Sequence, residues 1–292
     1  MGVFVPVVGS INLPAIGIGT FQLKGENLRT AILEGVKTGY RLIDTAEVYR
    51  NEEEIGVILN EVFNTGLCSR EEMWITTKIS PKSQGYEKAY KSIQNSLKNL
   101  NLKYLNLVLI HWPGAANIAV TNLRNAELRK ETYQAMIKAK DEGLIKFIGV
   151  SNFNENHLTK LIDAFPRSVP TVNQIEVHIQ LPQLSLIEFC KKRGITVQGY
   201  STLGQGKLLN GSISIPTVEY IAKTKNMTIA QVLLRYSIQQ GIPVIPKMSS
   251  KERVLENFNC LTFKFTKEEM ALLSSIELDG ETRFTWDPNS VT

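Results

Sequence analysis

The sequence predicts an α/β protein, a single closed (β/α)8 barrel over residues 1–292, on three observations. Short β-rich apolar runs alternate with longer amphipathic stretches, the runs starting near Ile16, Leu42, Met73, Tyr104, Ile145, Thr171, Ile195 and Pro243. No break in composition divides the chain. An open doubly wound sheet would carry a glycine-rich phosphate turn after its first strand, and Gly17-Ile18-Gly19-Thr20-Phe21-Gln22 lacks the last glycine of that turn.

The elements follow in order. A short hairpin opens the chain, with strands over residues 3–8 and 11–13 about a Gly9-Ser10 turn, and an enlarged C-terminal face is expected above the barrel. Asn51 is placed to cap a helix whose first turn carries three glutamates and whose buried face is Ile55, Ile58, Leu59, Val62 and Phe63. Tyr90, Ile93, Leu97 and Leu100 mark a second such face, and Leu158, Leu161, Ile162 and Phe165 a third behind an Asn154 cap. Two intervals between runs are long, and their extra residues fall just after a strand, at 114–124 and 201–215. Loops there lie on the face where barrel enzymes keep their active sites.

Composition narrows the function classes. The chain is 43% hydrophobic and 21% charged, a balance that supports a large core. Its net charge of +5 comes from basic residues scattered among acids, which suits an anionic small molecule and argues against nucleic acid. Cys68, Cys190 and Cys260 are far apart and predict a reducing, cytoplasmic setting without disulfides. The start lacks the pattern of a secretory leader, and no apolar run is long enough for a membrane span. The three histidines show no metal-ligand spacing, so no metal site is expected.

Chemistry concentrates at the strand ends. Leu42-Ile43-Asp44 ends in an aspartate, Trp74-Ile75-Thr76-Thr77-Lys78 in a lysine and Leu107-Val108-Leu109-Ile110-His111 in a histidine, while Tyr49 follows Asp44 by five residues. Singly, these could be a turn residue, a solvated strand end, a core histidine and a packing aromatic. At equivalent positions of successive strands they read as one functional rim.

Asp44-Thr45-Ala46-Glu47-Val48-Tyr49-Arg50-Asn51-Glu52, Lys78 and Leu109-Ile110-His111-Trp112-Pro113 resemble the signatures of the aldo-keto reductases. So do the run Gly143-Leu144-Ile145-Lys146-Phe147-Ile148-Gly149-Val150-Ser151-Asn152-Phe153 and Ile245-Pro246-Lys247, and the similarity extends to Trp286-Asp287-Pro288. The resemblance, to prostaglandin F synthase-like and aldose reductase-like members, implies NADPH-dependent reduction of aldehydes and ketones by a monomer. Tyr49 would supply the proton, with Lys78 lowering its pKa and Asp44 keeping Lys78 charged. His111 would hydrogen-bond the carbonyl oxygen and set its angle.

The resemblance also implies a cofactor, NADPH or NADP+, lying extended over the barrel mouth. Ser151, Asn152 and Gln174 would bind the nicotinamide amide and Tyr200 would stack on the ring, with Gly19, Thr20, Phe21, Ser201 and Leu203 close by. At the phosphate end, Ser249-Ser250-Lys251-Glu252 reads as a capping box opening a helix, whose free amides and dipole suit an anion. Lys247 and Arg253 add positive charge there, favouring NADPH over NADH, and Glu256 and Asn257 match the adenine-side residues. Met248 stands where the family often carries serine or threonine. The expected substrate walls are Phe21, Tyr49, His111, Trp112 and the loop after Pro113, and a brief tail over residues 283–292 suggests an open pocket of broad specificity. The alternatives are a non-enzymatic cofactor-binding protein on the same scaffold and a Schiff-base enzyme using Lys78. Asp44 argues against the second, because it favours the charged lysine.

Overall fold

The computed structural model describes residues 11, 13–276 and 281–292, so the expected opening hairpin falls largely outside the described residues. The order is β1 (Ile18–Gly19), α1 (Gly25–Thr38), β2 (Leu42–Asp44), α2 (Glu52–Asn64), β3 (Trp74–Ile79), α3 (Tyr86–Asn99), β4 (Leu105–Ile110) and α4 (Arg124–Asp141). Then come β5 (Ile145–Ser151), α5 (Glu155–Ala164), β6 (Val172–Glu176), α6 (Leu184–Lys192), β7 (Thr196–Tyr200), α7 (Pro216–Lys225) and α8 (Ile229–Gln239). Helices α9 (Lys251–Phe258) and α10 (Lys267–Ser274) follow. Strands begin within two residues of the expected starts, and each of β1–β7 is parallel to the next in the sheet.

The eighth run, from Pro243, closes the barrel without forming a regular strand. Val244 bridges Gly199 on the β7 side and Ile16 on the β1 side, and Lys247 bridges Gly19. The bonds run mainly toward it: Gly199 N–H donates to Pro243 O, Gly17 N–H to Val244 O and Gly19 N–H to Pro246 O. Pro243 and Pro246 have no N–H to return, which is why a ladder never becomes regular here. The fold is thus the expected (β/α)8 barrel with an irregular last stave.

Side-chain alternation sorts the barrel into an inside and an outside. In β4, Val108 and Ile110 join the large core beneath the helices, whereas Leu107 and Leu109 join Ile11, Leu13 and Val172 in a cluster with no helical residue. That second cluster is the barrel interior, so β4 is apolar on both faces, as a covered parallel strand must be. Register pairs Thr76 with Leu107 and Lys78 with Leu109, and it places Asp44 beside Thr76. Going up the barrel, the interior therefore turns from leucine to Lys78, Asp44 and Gln174. The polar layer is the floor of the site.

Two expected caps behave differently. Asn154 forms a full capping box with His157 at the start of α5. Asn51 occupies the N-cap position of α2 but makes no cap bond. Its amide instead accepts from the Thr45 hydroxyl at 2.8 Å and donates to Thr20 O and Leu23 O, tying the β1 and β2 loops together.

Candidate active site

Lys78 is the centre of the rim. Its ammonium is almost fully buried and donates to Asp44 Oδ1 at 2.5 Å, to Thr45 O at 2.9 Å and to Tyr49 Oη at 3.4 Å. An ammonium has three N–H bonds, and each has an acceptor. Burial pushes the Lys78 pKa down, but the charge and hydrogen bonds of Asp44 and Tyr49 outweigh it and raise it overall. Lys78 is therefore a fixed positive charge under the tyrosine hydroxyl.

Tyr49 lies on a 3-10 turn, Glu47–Tyr49, ended by Arg50 in the left-handed region. Glu47 anchors that turn by accepting from Ser80 N–H and from the hydroxyls of Ser83 and Ser92. The expected lowering of the Tyr49 pKa is not the net result. Burial raises it, Lys78 pulls it down, and Asp44 behind Lys78 raises it again, leaving it above the ordinary value. Desolvation of a phenolate outweighs one ammonium held at 3.4 Å.

His111 N–H continues the β3 ladder to Ile79 O, and the imidazole meets the Tyr49 ring edge-on at 5.7 Å between centroids. Burial, and then the neighbouring Lys78 charge, hold its pKa well below the ordinary histidine value. The ring is neutral at physiological pH and has one N–H to offer. Phe21, half-exposed, lies 5.1 Å from the Tyr49 ring, and Trp112 stacks beside His111 at 6.2 Å. The four catalytic candidates and their two aromatic walls thus meet at one mouth.

The next group adjoins it directly. Gln174 Nε2 donates to Asp44 Oδ2 at 2.7 Å and to Gln198 Oε1 at 2.8 Å, which leaves Oε1 without a partner among the described residues. Ser151 Oγ donates to Gln174 O, Asn152 Nδ2 donates to His111 O, and Tyr200 Oη donates to Asn152 Oδ1 at 2.6 Å. The free Gln174 Oε1 is an acceptor that suits the N–H2 of a carboxamide, and the buried Gln198 Nε2 beside it is an unpartnered donor among the described residues. Gly19 and Thr20 each also have a structural task. Gly19 closes the barrel, since a Cβ there would lie 2.5 Å from Ile245 O, and the Thr20 amide and hydroxyl both bond Asp44 O. Ser201 has a left-handed backbone and Leu203 is partly buried, both in the loop after β7.

The expected phosphate end lies at the start of α9. Ser250, not Ser249, is the N-cap, accepting from Arg253 N–H at 3.4 Å, so the capping box expected with Glu252 does not form. Lys247 and Arg253 are exposed beside the helix start, and Lys247 Nζ bonds Gln22 Oε1 at 3.0 Å, reaching back to the rim beside Phe21. Met248 points the other way: it is fully buried, and the Tyr40 hydroxyl lies 3.2 Å from its sulfur. Glu256 is partly buried, its carbonyl held by Gln231, and Asn257 is buried. Exposed cations at a helix start suit an anionic group, and the free Gln174 acceptor suits an amide, so the residues present fit the two ends of a dinucleotide.

Sequence reasoning passed over Glu47, Gln198, Glu176 and Thr285. Glu176 ends β6 as Asp44 ends β2, and that position was the available signal. Among the described residues there is no cluster of three or more metal-ligating side chains, and no helix is long and apolar enough to cross a membrane.

Residues 15–278 match the family model described as the Aldo/keto reductase family. The 9,11-endoperoxide prostaglandin H2 reductase of Trypanosoma cruzi is 38% identical over 96% of this chain and 93% of its own length. The glyoxal reductase of Bacillus subtilis is 37% identical over 92% of this chain and 91% of its own. Among solved structures, the Bombyx mori aldo-keto reductase in complex with NADP superposes with a TM-score of 0.82 at 32% identity, covering 94% of this chain and 92% of that one. Agreement of that length, in sequence and in fold, leaves one conclusion: the chain belongs to the aldo/keto reductase family.

Proposed function

We propose that the protein, with residues 1–292 as one barrel unit, reduces aldehydes and ketones to alcohols using NADPH, and that Tyr49 gives the proton. The observation that carries this reading is the Asp44–Lys78–Tyr49 chain at the barrel mouth, with a neutral His111 beside it. The nicotinamide, when bound, supplies the hydride. His111 donates its single N–H to the carbonyl oxygen and orients it toward Tyr49. As negative charge grows on that oxygen, Tyr49 Oη releases its proton to it, and Lys78 stabilises the phenolate left behind. Asp44 holds Lys78 charged and aimed. Ser151, Asn152, Gln174 and Tyr200 orient the nicotinamide end, while Lys247, Arg253 and the first turn of α9 hold the phosphate end. Phe21, Trp112 and Trp286 form apolar walls for a small carbonyl substrate. The glyoxal reductase among the relatives supports reactive dicarbonyls as first candidates.

The test mixes purified protein with NADPH and either glyoxal or 4-nitrobenzaldehyde and follows the loss of NADPH absorbance. Wild type turns over. Tyr49→Phe loses a factor of about 10²–10⁴, the range for a general acid, while cofactor binding measured by fluorescence is retained. Equal rates for the two proteins would overturn the assignment.

A further inference from the structure

Glu176 sits on the same rim as Asp44, yet its carboxylate serves the far end of the chain. It is fully buried at the end of β6. Oε1 accepts from Phe284 N–H at 2.7 Å, and Oε2 accepts from Thr285 N–H at 3.1 Å and from the Thr285 hydroxyl. His178 Nε2 lies 3.1 Å from Oε1, and the Arg283 guanidinium lies 3.8 Å from Oε2. A buried carboxylate is costly unless its oxygens are satisfied, and here all the satisfying groups but His178 come from one short stretch of the tail.

The residue after that stretch is Trp286, whose ring meets Trp112 edge-to-face at 4.9 Å. Trp112 in turn stacks beside His111. A second clamp holds the tail beyond Trp286: His157 Nε2 bonds Val291 O at 2.8 Å, and the buried Arg129 bridges Pro113 O and Thr292 O. Trp286 is still about half-exposed, so packing alone does not fix it. Its place is set by the backbone on either side.

We propose that Glu176 is a specificity-determining positioning residue: it fixes residues 283–285 to the barrel, holds Trp286 against Trp112, and so sets the width of the mouth and the size of carbonyl admitted. The inference rests on the reductase reading of that mouth. Glu176→Gln keeps the volume but turns its N–H2 toward the amide of either residue 284 or residue 285, so at least one tail bond is lost. Thr285→Val removes the side-chain bond to Glu176 together with the 3.0 Å contact to the Tyr200 hydroxyl, and Thr285→Ser restores both.

The experiment compares kcat/KM for propanal and for 4-biphenylcarbaldehyde in wild type, Glu176→Gln, Trp286→Ala and the double variant. Glu176→Gln shifts the ratio several-fold toward the bulky aldehyde, with kcat for propanal nearly unchanged. Trp286→Ala shifts it the same way, and the double variant goes no further, because both act through one ring. A ratio unmoved by Glu176→Gln, or fully additive shifts, would overturn the proposal. If Glu176→Gln does not fold, Thr285→Val must show a smaller shift of the same sign and Thr285→Ser must reverse it. Acrylamide quenching of tryptophan in a Trp74→Phe background reads the tether without turnover. Increased quenching in Glu176→Gln beside an inactive wild type would sink the reductase reading alone. Unchanged quenching would sink the tether.

Discussion

Gln174 Nε2 donates to Asp44 Oδ2 at 2.7 Å while Lys78 holds the other oxygen of that carboxylate. The glutamine proposed to read the cofactor and the charge pair proposed to tune the acid are therefore joined through one carboxylate. An ionised carboxylate only accepts, so Asp44 also dictates which end of the Gln174 amide faces it. Asp44→Asn removes that constraint, since its amide can present either end. It is expected to raise the Kd for NADPH as well as lower kcat. Stopped-flow cofactor binding measures the first and steady-state turnover the second; a normal Kd would show that the two tasks are separable.

The Lys78–Asp44 pair is expected to dominate the local stability balance. Both side chains are nearly fully buried. Lys78→Met leaves a buried unpaired carboxylate and is expected to cost about 3–5 kcal/mol in urea unfolding. Lys78→Met combined with Asp44→Leu removes both charges and should recover much of that loss. A double variant as unstable as the sum of the single ones would show that packing, not charge, is at stake.

The pH dependence of reduction follows from the two shifted groups. His111 is held neutral far below its ordinary range and Tyr49 is held protonated above its own. The acid must carry its proton, so kcat/KM is expected to stay level through neutral pH and to fall only above the ordinary tyrosine value of about 10. An inflection near the ordinary histidine value of about 6.5 that vanishes in His111→Gln would contradict the neutral imidazole.

Cofactor choice is expected to rest on the start of α9. Arg253→Ala and Lys247→Ala should each raise KM for NADPH by about tenfold, the scale of one charge-assisted bond, with KM for NADH barely changed. Equal effects on both cofactors would move the phosphate site elsewhere. Met248→Thr is expected to do little for NADPH, because that side chain is turned into the core against Tyr40.

The tail clamp should make stability pH-dependent through His157. Nδ1 accepts from Asn154 N–H and Nε2 bonds Val291 O, so the neutral ring donates from Nε2. Burial lowers its pKa to about 4. With the folded value below the unfolded one, the unfolded chain takes up a proton first as pH falls. Stability contributed by the neutral ring is then present above about 6.5 and drains away toward pH 4. Tm should decline over that window in wild type and less steeply in His157→Gln.

The sequence was most legible where an ionisable residue broke an apolar run. Asp44, Lys78 and His111 lie at or next to the C-terminal ends of β2, β3 and β4, and the register of those strands brings them together. Local pattern was weaker guidance where a side chain's partner lies far along the chain. Asn51 has the profile of a cap, yet Thr20, Leu23 and Thr45 claim its amide. Glu176 is a strand-end acid like Asp44, but its partners lie more than a hundred residues on and carry no sequence mark. Gly19 resembles a cofactor glycine, and the close approach it permits is to the barrel's own closing segment.

That closing segment has one more effect. Pro243 and Pro246 let it receive hydrogen bonds from both neighbours while offering none at those two positions. If the barrel parts at this seam, the freed edge offers no N–H at residues 243 and 246 and so pairs less readily with a strand from another molecule than an unbroken edge would. The irregular stave is a poorer template for such pairing than a regular edge strand.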